Sequence, residues 1–235
     1  MALCDGERVL PLAVAKDYKR LEDGDTGPNT GGMGAHSPAG LLGAADAGDI
    51  LERILLPTAA GLAEENRAFV GVLYAGLMLT DEGPQVLEFN ARLGDPEAQA
   101  VLPRLESDLL ELLAAGAAGD FGGIRPQFRK EAAACLVLAS SGYPANPVKG
   151  EPISGVERAA ALDNVQVFHA GTALRDGELV ADGGRVLNVC ATGPTLSEAL
   201  RTAYAAAGEI EWPSKILRRD IGRRVLESAL SEDAE

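Results

Sequence analysis

Aromatic side chains are scarce in this 235-residue chain, with five Phe, four Tyr and one Trp making 4% of the total. Any core must therefore be filled by Leu, Val, Ile and Ala. Cations are also in deficit. Lys and Arg number 21 against 35 Asp and Glu, for a net charge of −14. Nucleic acid and anionic membrane surfaces both need a basic field, so the balance argues against either partner. Cysteine is limited to Cys4, Cys135 and Cys190, an odd number with no CxxC spacing. That pattern points to reduced thiols in a cytoplasm-like compartment and to no zinc site. Long apolar runs are missing too. The longest, "AAACLVLA" at 132–139, is too short to cross a bilayer, and Asp5 interrupts any secretory h-region. No internal repeat or low-complexity tract is present. Hydrophobic residues at 46% and charged residues at 24% are ordinary for a globular protein of one large domain or two modest ones.

What the chain has in quantity is glycine. In "GDTGPNTGGMGAHSP", residues 24–38, four glycines fall between Gly27 and Gly34. Each would cost roughly 0.5–1 kcal/mol inside a regular element, so the stretch reads as a loop. A slack linker would be indifferent in sequence. Here the glycines alternate with Asp25, Thr26, Asn29, Thr30 and His36, and Lys16, Lys19 and Arg20 precede them. Without Cβ atoms, backbone N–H groups can converge on an anion, while Thr and Asn add donors. The pattern suits a mobile lid over a phosphorylated ligand. A plain surface loop is the alternative.

Around this loop the pattern alternates strands and helices. "MALCDGERVLPLAVA" reads as a hairpin turning at Asp5-Gly6, with a short first arm and a long strand from Arg8 to Ala15. The short arm suggests that the chain starts inside a larger sheet, leaving an unpaired edge. Asp49 to Asn66 has helical periodicity, with Pro57 expected to kink it. "FVGVLYAGLMLTDEGPQVLEFNARLGD" reads as two strands, a turn at Asp81 to Pro84, and a further strand. The segment from Pro96 through "LLELLAAG" reads as one helix. "AAGAAGDFGGIRPQ" marks a boundary. Beyond it, three strand-like runs and two helices, Thr195 to Gly208 and Ile216 to Leu230, form a separate small α+β domain.

The second constellation is "EFNARLGDPE", residues 88–97. Alternation puts Val86, Glu88 and Asn90 on one strand face, against Leu87 and Phe89 on the other. A carboxylate and an amide oxygen there are hard ligands suited to magnesium, which completes its shell with waters and substrate phosphates. Arg92 continues that face as a partner for a phosphoryl oxygen. Asp95 stands at the start of the following helix, where capping alone is an ordinary explanation. A solvated strand face is the alternative for Glu88 and Asn90.

Taken together, "GDTGPNTGGMGAHSP" and "LEFNARLGDPEAQ" resemble the phosphoribosylamine–glycine ligases of the ATP-grasp superfamily. "YAGLM", "SDLLEL", "SSGYP", "VFHAGT" and "GGRVLNV" add to the resemblance in family order. His36 departs from the tyrosine usual at its place. The resemblance implies an α+β fold: the second half of an ATP-grasp domain at 1–128, then the family's C-terminal domain at 129–235. It implies a cytoplasmic enzyme of purine biosynthesis that joins glycine to 5-phosphoribosylamine through an acyl phosphate. ATP and magnesium, or manganese, would be used. Arg92, Asp95 and Lys19 become candidate catalytic residues, and Glu88 and Asn90 candidate metal ligands. Asp25, Thr26, Asn29, Thr30, Gly31, Gly32, Met33 and Gly34 become the substrate and phosphate loop. Family members carry a substrate-binding domain and the first ATP-grasp half upstream, so a separate chain supplying that half is an implied partner. Three readings stay open: a ligase or its catalytic half, an inactive truncated product or pseudo-enzyme keeping only magnesium and phosphate binding, and an ATP-grasp ligase for another amine or acid.

Overall fold

The computed structural model describes residues 1–40 and 44–232. In chain order the strands are β1 (Ala2–Asp5), β2 (Val9–Pro11), β3 (Lys16–Asp17), β4 (Arg20–Glu22), β5 (Thr26–Asn29), β6 (Gly34–Ser37), β7 (Val70–Thr80), β8 (Gly83–Asn90), β9 (Ala132–Ser140), β10 (Glu151–Pro152), β11 (Val165–His169), β12 (Thr172–Arg175), β13 (Glu178–Ala181), β14 (Arg185–Gly193) and β15 (Lys215–Ile216). The helices are α1 (Ala44–Ile50), α2 (Leu56–Glu64), α3 (Glu97–Val101), α4 (Leu109–Ala117), α5 (Val156–Ala160), α6 (Leu196–Glu209) and α7 (Arg223–Glu232). They pack as two compact units. Residues 1–14, 39–94 and 105–129 form one, and residues 15–38, 95–104 and 130–235 form the other.

The first unit is built on an antiparallel sheet of order β2-β1-β7-β8. Strand β1 pairs on both sides, Ala2 to Cys4 with Pro11 to Val9 and Ala2 to Asp5 with Leu73 to Val70. Strand β1 is therefore interior, and the open edge at the opening hairpin lies on its second arm, β2, with β8 as the opposite edge. The expected strand from Arg8 to Ala15 is also shorter, spanning Val9–Pro11. Asp5 accounts for the turn. Its carboxylate accepts the N–H groups of Glu7 and Arg8 at 3.0 and 2.6 Å, and that of Phe121 at 3.3 Å. Burial alone would raise its pKa, but these three donors hold it below the usual carboxylate value. The two strands expected before the Asp81 turn are one strand, Val70–Thr80. Ala2, Cys4, Val9 and Leu73 pack with Ile50, Leu55 and Ala59 of the helical layer. That layer carries a π turn at Leu51–Leu55, closed by the Leu56 N–H on the Leu51 carbonyl. Pro57 lacks an N–H, and the ladder is reset at this point.

The second unit centres on an antiparallel sheet of order β11-β14-β9-β6-β3, with β15 also pairing β9. Strand β9 is "AAACLVLAS", and all nine of its residues are buried. Both faces are covered, which is why the run does not alternate. Helix α6 lies on one face, placing Ala199, Leu200, Ala203, Ala206, Ala207 and Ile210 against Ala134, Leu136 and Leu138. The i, i+3, i+4 spacing forms the stripe, and its alanines allow close approach to the sheet. On the other face Cys135 packs with Ala35, Ala100 and Cys190. All three cysteines are free and buried. Thr195 caps α6, accepting the Glu198 N–H at 3.2 Å and donating to its carboxylate at 3.0 Å.

Two expected helices differ. The run from Pro96 is α3, a single 3-10 turn over Leu102–Arg104, and then α4, capped by Asp108. Pro103 cannot donate to the ladder, so the helix breaks around it. Only Arg223–Glu232 of the last expected helix is helical, because Lys215–Ile216 joins the sheet and Gly222 has φ +78°.

Candidate active site

In the first unit, Glu88 and Asn90 lie on edge strand β8. Glu88 stands opposite Gly76 and Asn90 opposite Tyr74 in β7, so the two share a face. The register slips between Gly76 and Leu77, leaving Leu87 as an extra residue. This bulge moves Val86 to the opposite face, contrary to simple alternation. Arg92 lies beyond the end of the strand, and its guanidinium donates to the Leu93 carbonyl at 2.9 Å. The expected continuation of the face through Arg92 is therefore not formed. The donor set at Glu88 and Asn90 fits magnesium: two hard oxygens on one face, too few to complete an octahedron. Among the described residues no group of three His, Cys, Asp or Glu is arranged to hold an ion. Substrate oxygens and water are needed to complete such a site.

In the second unit, the glycine loop is tied down at several of its amides. Strands β4 and β5 make it a hairpin, and β3 and β6 tie its ends into the central sheet. The Gly31 N–H donates to the Tyr143 hydroxyl at 2.9 Å, that of Gly32 to Thr30 Oγ1 at 3.0 Å, and that of Met33 to the Tyr18 carbonyl at 2.8 Å. Thr30 itself donates to the Lys19 carbonyl at 2.8 Å, and Thr26 donates to the Asp23 carbonyl at 3.0 Å. Met33 is buried, and a side chain on Gly34 would meet the Cys135 carbonyl at 2.8 Å. Asn29 is exposed on β5 opposite Arg20.

Asp25 anchors the base of the loop. It has φ +57° and accepts from Arg218 at 2.8 Å. The Arg218 side chain is 1% exposed, forks onto Asp220 at 2.8 and 2.7 Å, and stacks 5.0 Å from the Tyr18 ring centre. Burial works to raise the Asp220 pKa, but the Arg218 fork overrides it and holds the carboxyl at about 2. Removing one member of such a buried ion cluster typically costs about 3–5 kcal/mol. Tyr18 extends the network: its hydroxyl accepts the Gly222 N–H at 2.8 Å and lies 3.3 Å from His36 Nε2. His36 Nδ1 donates to the Pro38 carbonyl at 2.8 Å, and burial pushes its pKa down to about 4, so the ring is neutral.

Asp95 belongs with the loop rather than with a helix cap. Helix α3 has Pro96 at its N-cap and no side-chain cap bond. The Asp95 carboxylate accepts from Gln99 at 3.0 Å and from Arg185 at 3.0 Å. Arg185, in "GGRVLNV" at the start of β14, also donates to the carbonyls of Gly31 and Asp95, both at 2.8 Å. A Cβ on Gly32, where φ is +112°, would meet Pro96 Cδ at 2.5 Å and Asp17 Oδ1 at 2.8 Å. Lys19 pairs with Asp17 Oδ2 at 3.0 Å. Burial, then the nearby Glu97 carboxylate, raises the Asp17 pKa to about 6.

The fold brings Asp95 and the loop, both singled out in the sequence, together with Arg185, Arg218 and Asp17, which were not. Arg185 sits in a motif noted for resemblance alone. Nothing in local spacing joins it to Gly31 across more than 150 residues.

Residues 1–98 match a model of an ATP-grasp domain, so the chain carries part of an ATP-grasp fold. The biotin carboxylase subunit of pyruvate carboxylase shares the fold with a TM-score of 0.61 at 16% identity, covering 91% of this chain and 45% of that one. Family models match in two blocks: "Phosphoribosylglycinamide synthetase, ATP-grasp (A) domain" over residues 1–98 and "Phosphoribosylglycinamide synthetase, C domain" over residues 133–224. The chain belongs to the phosphoribosylglycinamide synthetase family. The phosphoribosylamine–glycine ligase of Rhizobium meliloti is 52% identical over 224 residues, covering 95% of this chain and 52% of that protein. The chloroplastic ligase of Arabidopsis thaliana is 49% identical, covering 96% and 43%. The crystal structure of the Thermotoga maritima ligase matches with a TM-score of 0.83 and 38% identity, covering 93% of this chain and 54% of that one. The chain spans about half the length of the curated relatives it matches.

Proposed function

We propose that the chain is the part of an ATP-dependent ligase that holds the metal pair and the glycine loop. The complete reaction would join glycine to 5-phosphoribosylamine in the cytoplasm, as a step of purine synthesis. The observation that carries this reading is the match of both family blocks, in order, to a chain that keeps Glu88 and Asn90 on one strand face. Family membership also supports the division into an ATP-grasp part at 1–128 and a C domain at 129–235, although packing groups 15–38 and 95–104 with the C-terminal residues.

In this reading the glycine carboxylate attacks the γ-phosphorus of ATP, giving an acyl phosphate and ADP. The amine of phosphoribosylamine then displaces phosphate. Two anions must meet in the first step, and a chain of net charge −14 has no favourable overall field. Local cations therefore matter, with Arg92 and Lys19 as this chain's candidates. Magnesium or manganese, when bound at Glu88 and Asn90, would screen the phosphate oxygens. Asp95 offers a carboxylate to an amine. The loop from Asp25 to Gly34, being internally bonded, acts as a preformed wall that keeps water from the acyl phosphate.

The test is phosphate release that depends on both glycine and phosphoribosylamine. It is measured for the purified chain alone and with a second chain carrying the remainder of the Rhizobium meliloti ligase. The expected result is double-substrate dependence in the mixture and none with this chain alone. No dependence in either overturns the ligase reading and leaves a non-catalytic homologue.

A further inference from the structure

We propose that Arg185 is a positioning residue, whose guanidinium locks the glycine loop to Asp95 so that wall and carboxylate form one preorganised piece. The inference rests on the ligase reading above and adds to it a residue that lies on β14, remote in sequence from both. The geometry is specific. One terminal nitrogen, Nη1, donates to the Gly31 and Asp95 carbonyls at 2.8 Å each and approaches the Gly32 carbonyl at 3.5 Å. The other, Nη2, reaches Asp95 Oδ2 at 3.0 Å. The Arg185 side chain is 21% exposed and that of Asp95 42%, so the fork is half-buried and its bonds to Asp95 are partly shielded from water.

The surrounding residues are fitted to this fork. A Cβ on Gly31 would come within 3.1 Å of the guanidinium carbon, so a bare backbone is what lets the fork in. Tyr143 takes the Gly31 N–H, and its ring packs on Gly184, where a Cβ would collide with it. The adjoining Gly183 lies backbone to backbone with Gly171, also without room for a Cβ. The "GGR" triplet thus brings a rigid strand start up to the loop, and Gln99 holds the second oxygen of Asp95 at 3.0 Å. A planar, five-donor fork can bridge two carbonyls and a carboxylate at once. A lysine ammonium of the same charge lacks that fixed geometry. Arg185 need not touch substrate to matter, since small misplacement of a positioning group costs rate steeply.

The test compares wild type, R185A and R185K in the full chain, with two readouts. The first is ligand-free amide exchange across Gly31 to Met33. The second is Mg·ATP affinity in the two-chain mixture of the ligation assay, with folding checked by circular dichroism. The expected result is exchange at least tenfold faster and Mg·ATP binding at least tenfold weaker in R185A. R185K should fail to restore either, and added methylguanidinium should recover both in R185A. A role confined to stability would lower the melting temperature without weakening binding by the folded fraction. The proposal is overturned if folded R185A binds Mg·ATP within twofold of wild type, if R185K matches wild type in both readouts, or if methylguanidinium rescues neither. Should R185A not fold, R185K decides alone. A wild-type mixture that neither binds Mg·ATP nor releases phosphate overturns the ligase reading and this inference together. Wild-type binding with equal binding by R185A overturns the inference only.

Discussion

Asp17 is the residue whose chemistry departs most from its surface-like sequence context. In "KDYKR" it reads as one more charge at the base of a loop. Folding buries its side chain to 9% exposure beside Glu97, and its pKa rises to about 6. The native state therefore keeps a proton that the unfolded chain releases. The stabilisation from this group is full below about pH 4 and is lost as pH rises through about 6. His36 runs the opposite way: its neutral ring stabilises above about 6.5, and that contribution is lost as pH falls towards 4. The difference between D17N and wild type isolates the carboxyl. D17N should be more stable than wild type by about 2–3 kcal/mol at pH 7 and nearly equal at pH 4, read from urea unfolding at each pH. Equal stability at both would show that the carboxylate is well solvated. At Glu88 the expected effect is on ligand rather than fold. E88Q should weaken metal-dependent nucleotide binding about tenfold, or ~1.4 kcal/mol, with unchanged circular dichroism. Mn2+ paramagnetic resonance gives a readout independent of turnover, and wild-type ion affinity in E88Q would remove Glu88 from the site.

The glycine loop is the element where composition and structure diverge most usefully. Its glycine density suggests an anion cradle and a mobile lid over 24–36. In the fold, Gly32 serves packing, having φ +112° and Asp17 and Pro96 where a Cβ would go. Gly24 has φ +70° but open space around it. G32A should therefore destabilise by about 2 kcal/mol or more, and G24A by only about 1 kcal/mol, in the same unfolding assay. Equal costs would mean that backbone conformation alone is at work. The anchors at Asp25 and at Gly31 to Met33 leave Thr26–Asn29 as the segment without such ties to the central sheet. Protease cleavage should fall within Thr26–Asn29 and slow in the two-chain mixture saturated with ATP, glycine and phosphoribosylamine. Cleavage at Gly31 to Gly34, or no slowing, would count against those anchors.

At the scale of the whole molecule, the acidic charge of −14 favours solubility, while β8 works against it. As an edge strand of the sheet among the described residues, β8 carries Leu87, 59% exposed, and Phe89, 42% exposed. An exposed apolar edge is a template for another chain. The isolated chain is expected to gain mass with concentration in analytical ultracentrifugation, and L87K should suppress the effect. A concentration-independent monomer would remove β8 as an association site.

Much of the local structure was legible because it depends on nearby residues. The shared face of Glu88 and Asn90 follows from strand period and the start of α6 from Thr195, whereas the break at Pro103, which a missing N–H explains, fell inside an expected helix. Motif order alone was enough to indicate the family. Periodicity could not show the bulge at Leu87, because a single extra residue leaves no mark on composition. Nor could it show that β6 and β3 would join the sheet of β9, or that Arg185 and Arg218 would bind a loop more than 150 residues away. Such ion pairs need two distant segments to be buried side by side, and only the packed sheet, which excludes water from both partners, makes the charges meet.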